Sequence, residues 1–446
     1  MDESQRSNAI RCNREACAPS NSADVLNRNC FCVSADPDTI RAELEPLLRS
    51  RGMEESMLQS HPHLFASLPV YVPHSQIEQI SGVITAIEEV TALPAYRSAV
   101  MARAPEISMI DPGSPGGLLG LDFHLTTGSV GLIEINTNPG GVLLNAILGQ
   151  AQSPCFADSM RSPTDATLVE DAVVRIFQTE WRLQGKSAPL TSIAIVDESP
   201  DQQYLYPEFR LFQELFRRHG LRADICSPDA LVHRSGRLWL DGKPVDMIYN
   251  RLTDFSLEDP MSARLRAAYV ADEIVLSPHP RAHAIYADKR NLILLSDPDF
   301  LAAAGASPSA MAALSDTVPK THLVSPLNRE MLWANRKHYF FKPAAGYGSK
   351  AAYRGDKLTR RVWDDITSMG VYVAQEVVKP SERHIAADTD PLKVDIRCYA
   401  YQGKTLLYAA RMYQGQTTNF RTPSGGFAPV LTLAEPAPEV DANVGD

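Results

Sequence analysis

Apolar positions along this chain follow two periods, and the organisation of the protein can be read from where one gives way to the other. Between 75 and 102, Ile77, Ile80, Val83, Ile84, Ile87 and Val90 recur at three- and four-residue spacing, which predicts a helix with one apolar face. Residues 38–59 (DTIRAELEPLLRSRGMEESMLQ) are expected to form an earlier helix with an aspartate N-cap. At 119–136 the period shortens to that of strands. Here LDFHLTTGSVGLIEIN reads as two strands around a short turn, and NPGGVLLNAILG enters a further helix. Another helix is expected over 165–184. TSIAIVD (191–197) is an apolar strand ending on an acid. It is followed by PEFRLFQELFRRHG, in which Phe209, Phe212, Leu215 and Phe216 share a face and Gly220 holds the C-cap position. LRADICS, a hairpin at GRLWLDGKPVD, and MIYNRL continue the alternation of strand and helix, which points to an open α/β sheet. Beyond the Pro/His-rich SPHPRAHAIY, strand signals dominate: YFFKP, VYVAQEVV, VDIRCYAY and TLLYAARMY, separated by Gly-rich loops.

These patterns divide the chain into a polar leader over 1–35 expected to be flexible, a helical and hairpin segment over 36–165, and an α/β unit over 190–285. A strand-rich unit over 286–430 follows, and then an acidic, Pro/Ala-rich tail over 431–446 expected to be disordered. In a chain of 446 residues this is a two- or three-domain organisation. Charge and composition narrow the partners. A net charge of −10 argues against a broad nucleic-acid surface, and no apolar run is long enough for a membrane helix. Seven cysteines in so long a chain do not resemble a disulfide scaffold, and the N-terminus carries no secretory signature, so a cytoplasmic setting is expected. Cys12, Cys17, Cys30 and Cys32 crowd the leader. Their chemistry suits zinc but their spacing matches no standard finger, so zinc stays an open alternative to a plain polar leader.

The candidate chemistry lies in two separated stretches. In FFKPAAGYGSKAAYRG, Lys342 ends a strand and Gly346-Tyr347-Gly348-Ser349 can bring backbone N–H groups close to phosphate oxygens. No P-loop pattern is present, and a Gly-rich turn alone is equally an ordinary hairpin. Its neighbours add weight: Lys289 upstream, then Gln375 and Glu376 interrupting an apolar strand, Asp395-Ile-Arg397, Arg411 on the returning strand, Asn419 and Gly425-Gly426. Two arginines on paired strands suit developing negative charge on oxygen. The second stretch is far upstream: Asp122, then Glu134-Ile-Asn136 and Pro139-Gly140-Gly141.

Together these residues resemble the ATP-grasp fold of glutathione synthetases and related ligases, over about 76–150 and 191–430, but with the order cyclically shifted. The resemblance implies an α/β (α+β) ATP-grasp fold, circularly permuted, with an inserted Rossmann-like domain at 190–285. It implies that Lys289 and Lys342 contact ATP phosphates beneath a closing loop at Gly346, Gly348 and Ser349. Gln375 and Glu376 through Val378 would form the adenine hinge, Arg397 and Arg411 would hold substrate carboxylate and acylphosphate, and Asp122, Glu134 and Asn136 would hold Mg2+. The implied activity is ATP-dependent joining of a small-molecule carboxylate to an amine through an acylphosphate. A small-molecule kinase and a catalytically silent nucleotide-binding protein are the alternatives. Permutation requires residues near 75 and 430 to be neighbours, and Glu134 and Asn136 to face Lys342 across one cleft.

Other residues carry weaker signals. His61 with His63, and His279 with His283, have ligand-like spacing but no acids or cysteines beside them in sequence. His124 shares a strand face with Asp122. Arg251 is either a cleft residue or a plain ion-pair partner, and Cys398, on the face opposite Arg397, suits packing. Neither the identity of the acid and amine nor the oligomeric state is legible.

Overall fold

A computed structural model describes residues 22–31, 37–53, 56–152, 160–345 and 351–433. Strands β1 (Val70–Tyr71), β2 (Leu119–Thr126), β3 (Ser129–Asn136) and β4 (Met160–Arg161) come first. The α/β segment contributes β5 (Ser192–Val196), β6 (Arg222–Cys226), β7 (Val232–Arg234), β8 (Arg237–Leu240), β9 (Lys243–Val245), β10 (Met247–Asn250) and β11 (Val275–Ser277). A small sheet follows from β12 (Thr321–Leu323), β13 (Tyr339–Pro343), β14 (Tyr353–Arg354) and β15 (Tyr372–Glu376). The last strands are β16 (Ser381–Arg383), β17 (Leu392–Tyr401), β18 (Lys404–Tyr413) and β19 (Gly426–Leu433).

The largest sheet runs β1-β19-β18-β17-β2-β3, with β16 and β4 paired at its margins. Early and late parts of the chain therefore share one sheet. Val70 pairs with Val430 and Tyr71 with Leu431, while Asp122 on β2 lies opposite Arg397 on β17. The pleat sorts the side chains. Leu121, Phe123, Ile396, Cys398 and Ala410 point into a core under the helix His74–Ala92, whose Ile77, Ile80, Ile84 and Ile87 are the predicted apolar face. Asp122, His124, Asp395, Arg397 and Arg411 occupy alternate positions on the other face. Farther along that face, Tyr399, Leu407 and Phe427 are covered by the helix Val142–Gln152.

Strands β11-β10-β5-β6 form a parallel sheet, the open α/β arrangement that the strand–helix alternation predicts. The helix Tyr206–Arg218 buries Phe209, Phe212, Leu215 and Phe216, and Phe177 from the helix Val169–Leu183 packs edge-on against Phe216. Strands β12-β15-β13-β14 form the separate small sheet, closed underneath by Trp363, Phe341 and Leu332.

Several expectations are corrected. The helix over 75–102 breaks at Leu93, because Pro94 lacks the N–H a continuing helix needs, and resumes as Pro94–Met101. The segment 38–59 is likewise two helices, Pro37–Arg49 and Ser56–Ser60. Leu431–Leu433, assigned to the tail, complete β19, where Leu431 is fully buried. The leader is not uniformly free either. Ala23–Asn29 is a helix with Ser22 as N-cap and Leu26 buried, held by Arg383. Arg383 is completely buried and donates to the carbonyls of Pro69 (2.9 Å), Asn27 (2.8 Å), Cys30 (2.6 Å) and His384 (2.9 Å). Cys12, Cys17 and Cys32 lie outside the described residues, as do 434–446. Cys30 is disulfide-bonded and so offers no thiolate to zinc.

Replacing Arg383 with Met removes the guanidinium donor from the carbonyls of Pro69, Cys30 and His384, while Asn27 O keeps the His384 N–H. We expect a loss of roughly 3 kcal/mol or more, from about 1–3 kcal/mol per orphaned group without full additivity. Hydrogen exchange should show the amides of 22–30 losing protection before the rest of the chain. Unchanged protection there would refute the role given to Arg383.

Candidate active site

The polar face of the large sheet and the edge of the small sheet enclose a cleft of about 900 Å³ including its open mouth. Asp122, His124, Glu134 and Asn136 line it from β2 and β3, and Asp395 and Arg411 from β17 and β18. Lys342, Gln375, Glu376 and Val378 line it from the small sheet and the segment after it, with Lys289 closing one side. Glu134 and Asn136 thus share one cleft with Lys342. Gly346, Gly348 and Ser349 lie outside the described residues.

Lys342 is buried at the base. Its ammonium donates to Gln375 Oε1 (2.7 Å) and Ile133 O (3.0 Å), and the Gln375 amide donates to Leu132 O (3.2 Å). Strand β3 is thereby tied to the small sheet, and Lys342 is aimed before any ligand arrives. Burial lowers its pKa to about 8, against the opposing pull of Glu134. Glu376 is exposed, as its outward-facing position predicts, while its backbone N–H is taken by Lys320 O. The Val378 carbonyl accepts from His124 Nδ1 at 2.7 Å. That bond fixes the imidazole tautomer, since a carbonyl can only accept, and leaves the lone pair on Nε2. Gly131 allows the contact: a Cβ there would lie 2.7 Å from Val378 Cγ2.

The arginines depart from expectation. Arg397 grips Asp122 through two bonds of 2.7 Å each, and its remaining Nη1 leans on Gly140 O at 3.4 Å. It is buried and does not line the cleft. Arg411 does line it. Its Nη2 lies 2.8 Å from Asp122 and its Nε donates to Asp395 at 2.6 Å. Asp395 also accepts from Thr418 Oγ1. The result is a buried chain of alternating charge, Arg397–Asp122–Arg411–Asp395. Burial pushes the Asp122 carboxyl upward, but Arg397 and Arg411 outweigh it and hold the group below the usual carboxylate range.

The donor set can be tested against the expected Mg2+. Glu134 is half-buried, lines the cleft, and has the Asn136 amide 3.4 Å away. One carboxylate and one amide oxygen, completed by water and phosphate, fit a cation that rarely takes an all-protein cage. Asp122 fits poorly, since both its oxygens already hold arginine. Among the described residues no group of three or more His, Cys, Asp or Glu side chains converges to hold a metal.

Other residues earn their places through support rather than contact. Arg251 is buried and donates to Asn138 O (2.9 Å) and Pro139 O (3.2 Å), so it braces the turn after β3. Glu208, which the sequence reading passed over, accepts from Gly141 N (2.5 Å) and Leu143 N (3.1 Å) at the start of the helix Val142–Gln152. Gly141 has φ +102, and a Cβ there would meet Phe427 at 2.3 Å, so only glycine fits. The only signal for Glu208 was a first-turn acid on an apolar helix. Thr418, with Gln416 and Thr417, brings the loop after β18 into the cleft wall. Asn419 organises that loop by donating to Gln414 O at 2.8 Å. The remaining candidates are structural. His279 accepts from Ala282 N (3.0 Å) and contacts Ser114 O (3.1 Å), His283 stacks on Phe255, and His61 packs against Tyr204. Cys398 is fully buried, which pushes its thiol up to about 12.

No protein-family model matches this chain, and no curated protein does. Solved structures do. A glutathione synthetase-like effector from Globodera pallida superposes with a TM-score of 0.54 at 12% identity, over 89% of this chain and 97% of that one. A candidate gamma-glutamylcysteine synthetase from Methylobacillus flagellatus KT gives 0.44 at 13%, over 80% and 87%. The first likeness establishes a glutathione synthetase-like, ATP-grasp-related α/β fold, in agreement with the motif resemblance; the second is too distant to add to it.

Proposed function

We propose that this protein is an ATP-dependent ligase that joins a carboxylate to an amine through an acylphosphate, releasing ADP and phosphate. The observation that carries the reading is the convergence of Lys289, Lys342, Glu134, Asn136 and Arg411 on one cleft, with Glu134 and Asn136 on a strand more than two hundred residues before those of Lys342 and Arg411. The pairing of Val70 with Val430 supports reading the motif order as a circular permutation, with the 190–285 segment inserted as a Rossmann-like unit.

In this reading Lys342 and Lys289 neutralise the phosphate oxygens of ATP, and the hinge offers adenine the Val378 N–H, its carbonyl being held by His124. Mg2+, when bound by Glu134 and Asn136, would supply charge for phosphoryl transfer. Arg411 presents its guanidinium to the carboxylate that is phosphorylated and to the resulting acylphosphate. Arg397 stands behind it. The amine then attacks the acyl carbon, a C–N bond forms, and the C–O bond to phosphate breaks.

A screen of amino acids and small carboxylates for substrate-dependent ADP release, with mass analysis of the product, tests the reading. A condensed product with free phosphate supports it. A stable phosphorylated product would make the protein a kinase, and no turnover with any pair would favour a silent nucleotide-binding protein. Glu134→Ala should lower ATP turnover by roughly 10²-fold or more, the scale of losing one charge-stabilising group. Unaltered turnover would sink the metal assignment.

A further inference from the structure

Three acids and two arginines crowd the polar face of the large sheet, and the geometry divides them unequally. Asp122 Oδ1 accepts from Arg397 Nε (2.7 Å), while Oδ2 accepts from Arg397 Nη2 (2.7 Å), faces Arg411 Nη2 (2.8 Å), and has Asn136 Nδ2 at 3.3 Å. The Asp122 side chain is only 3% exposed. Asp395 is committed to Arg411 and Thr418. Glu134, directly across the β2–β3 ladder from Asp122, is gripped by neither arginine.

We infer that Asp122 is not a metal ligand but the shared counter-ion that positions Arg397 and Arg411. This deepens the ligase reading and rests on it. Charge balance supports the division. Two guanidiniums and two carboxylates, Asp122 and Asp395, cancel within the buried chain, so of the three acids on this sheet face Glu134 is the one whose charge is left for a cation in the cleft. A cation on Asp122 would have to displace charge-assisted bonds and then sit beside the guanidiniums it displaced. With Asp122 as anchor, one edge of Arg411 is fixed and the guanidinium meets the substrate already oriented. Asp122 is thus a positioning residue, acting through arginine.

The test uses the full-length protein, with Mn2+ and ATP as the probe, read by electron paramagnetic resonance. Glu134→Gln should weaken Mn2+·ATP binding at least tenfold, and Asp122→Asn by less than about threefold. In the ligase assay Asp122→Asn should mainly lower kcat, and Arg411→Lys in that background should add little further loss. Equal loss of Mn2+ affinity in both variants would overturn the inference while leaving the ligase reading intact. Because Asp122→Asn can fail to fold, wild-type protein labelled with [15N]arginine provides a second arm. The Nε–H signal of Arg397, assigned with Arg397→Lys, should exchange slowly and persist at saturating Mg2+·ATP. Its absence, or its loss on adding Mg2+·ATP, overturns the counter-ion role. Wild-type protein that binds no Mn2+·ATP would instead remove the nucleotide reading, and the inference resting on it.

Discussion

Replacing Arg411 with Leu should be the most damaging single change in this protein. The guanidinium lies between Asp122 and Asp395, both nearly fully buried, and also faces the cleft. Removing it leaves Asp395 without its ion-pair partner and Asp122 with Arg397 alone. Breaking a buried pair from one side costs about 3–5 kcal/mol, because an uncompensated charge stays behind. A denaturant titration should show that loss. Turnover should fall further than stability explains, by about 10²–10³-fold, the range for losing one preorganised donor to a developing oxyanion. Arg411→Lys separates the two effects. It restores a charge but not the fork that holds two carboxylates at once, so stability should recover more than activity. If Arg411→Leu kept near-normal turnover in protein that remains folded, the cleft would not be working through this arginine.

Lys342→Met should weaken nucleotide binding strongly while preserving most of the side chain's volume. The methionine leaves Gln375 Oε1 and Ile133 O without their ammonium donor, a stability loss of about 1–3 kcal/mol. The loss of phosphate contact should lower ATP affinity at least tenfold, readable by calorimetry. The wild type provides an independent check through pH. Lys342 titrates near 8 in the free protein because burial disfavours its charged form. The cationic form that phosphate requires is therefore lost as pH rises through about 8, and kcat/KM should fall on that limb. Bound phosphate favours the charged ammonium, so the limb of kcat should lie at higher pH. Folding stability runs the other way. With the folded pKa below the unfolded value near 10.4, the unfolded chain binds more protons between pH 8 and 10.4, and this group's contribution to stability rises with pH there. A kcat/KM profile flat from pH 7 to 9.5 would contradict the assignment of Lys342 to phosphate.

What could be read in advance was local. Glu134-x-Asn136, Lys342 at the end of its strand and Gln375-Glu376 each sit within a few residues of a strand signal, and they share one cleft. The apolar faces of the helices at 77–90 and 209–216 were equally plain. What could not be read depended on distant partners. Arg397 looks like a ligand residue until Asp122, 275 residues earlier in the chain, is seen opposite it. Arg383 has the sequence context of an exposed loop residue, yet it binds carbonyls from both the N-terminal helix and the strand entry at Pro69. Glu208 caps a helix to which nothing in its own neighbourhood points. Long-range charge pairing leaves no period in a sequence, and those residues decide which side chains remain available to a ligand.

The pairing of β2 with β17, and of β1 with β19, also dictates when the protein can exist. A ribosome finishes Asp122 and Glu134 early, but the strand that completes their sheet emerges some 270 residues later. Until then the β2–β3 hairpin has an open edge and an uncancelled Asp122. Such long-separation pairings are slow to close and expose strand edges meanwhile. Nascent chains stopped anywhere before β19 should therefore be substrates for chaperones and proteases. A premature stop as late as residue 390 would remove not a domain but the closure on which every earlier strand of that sheet depends.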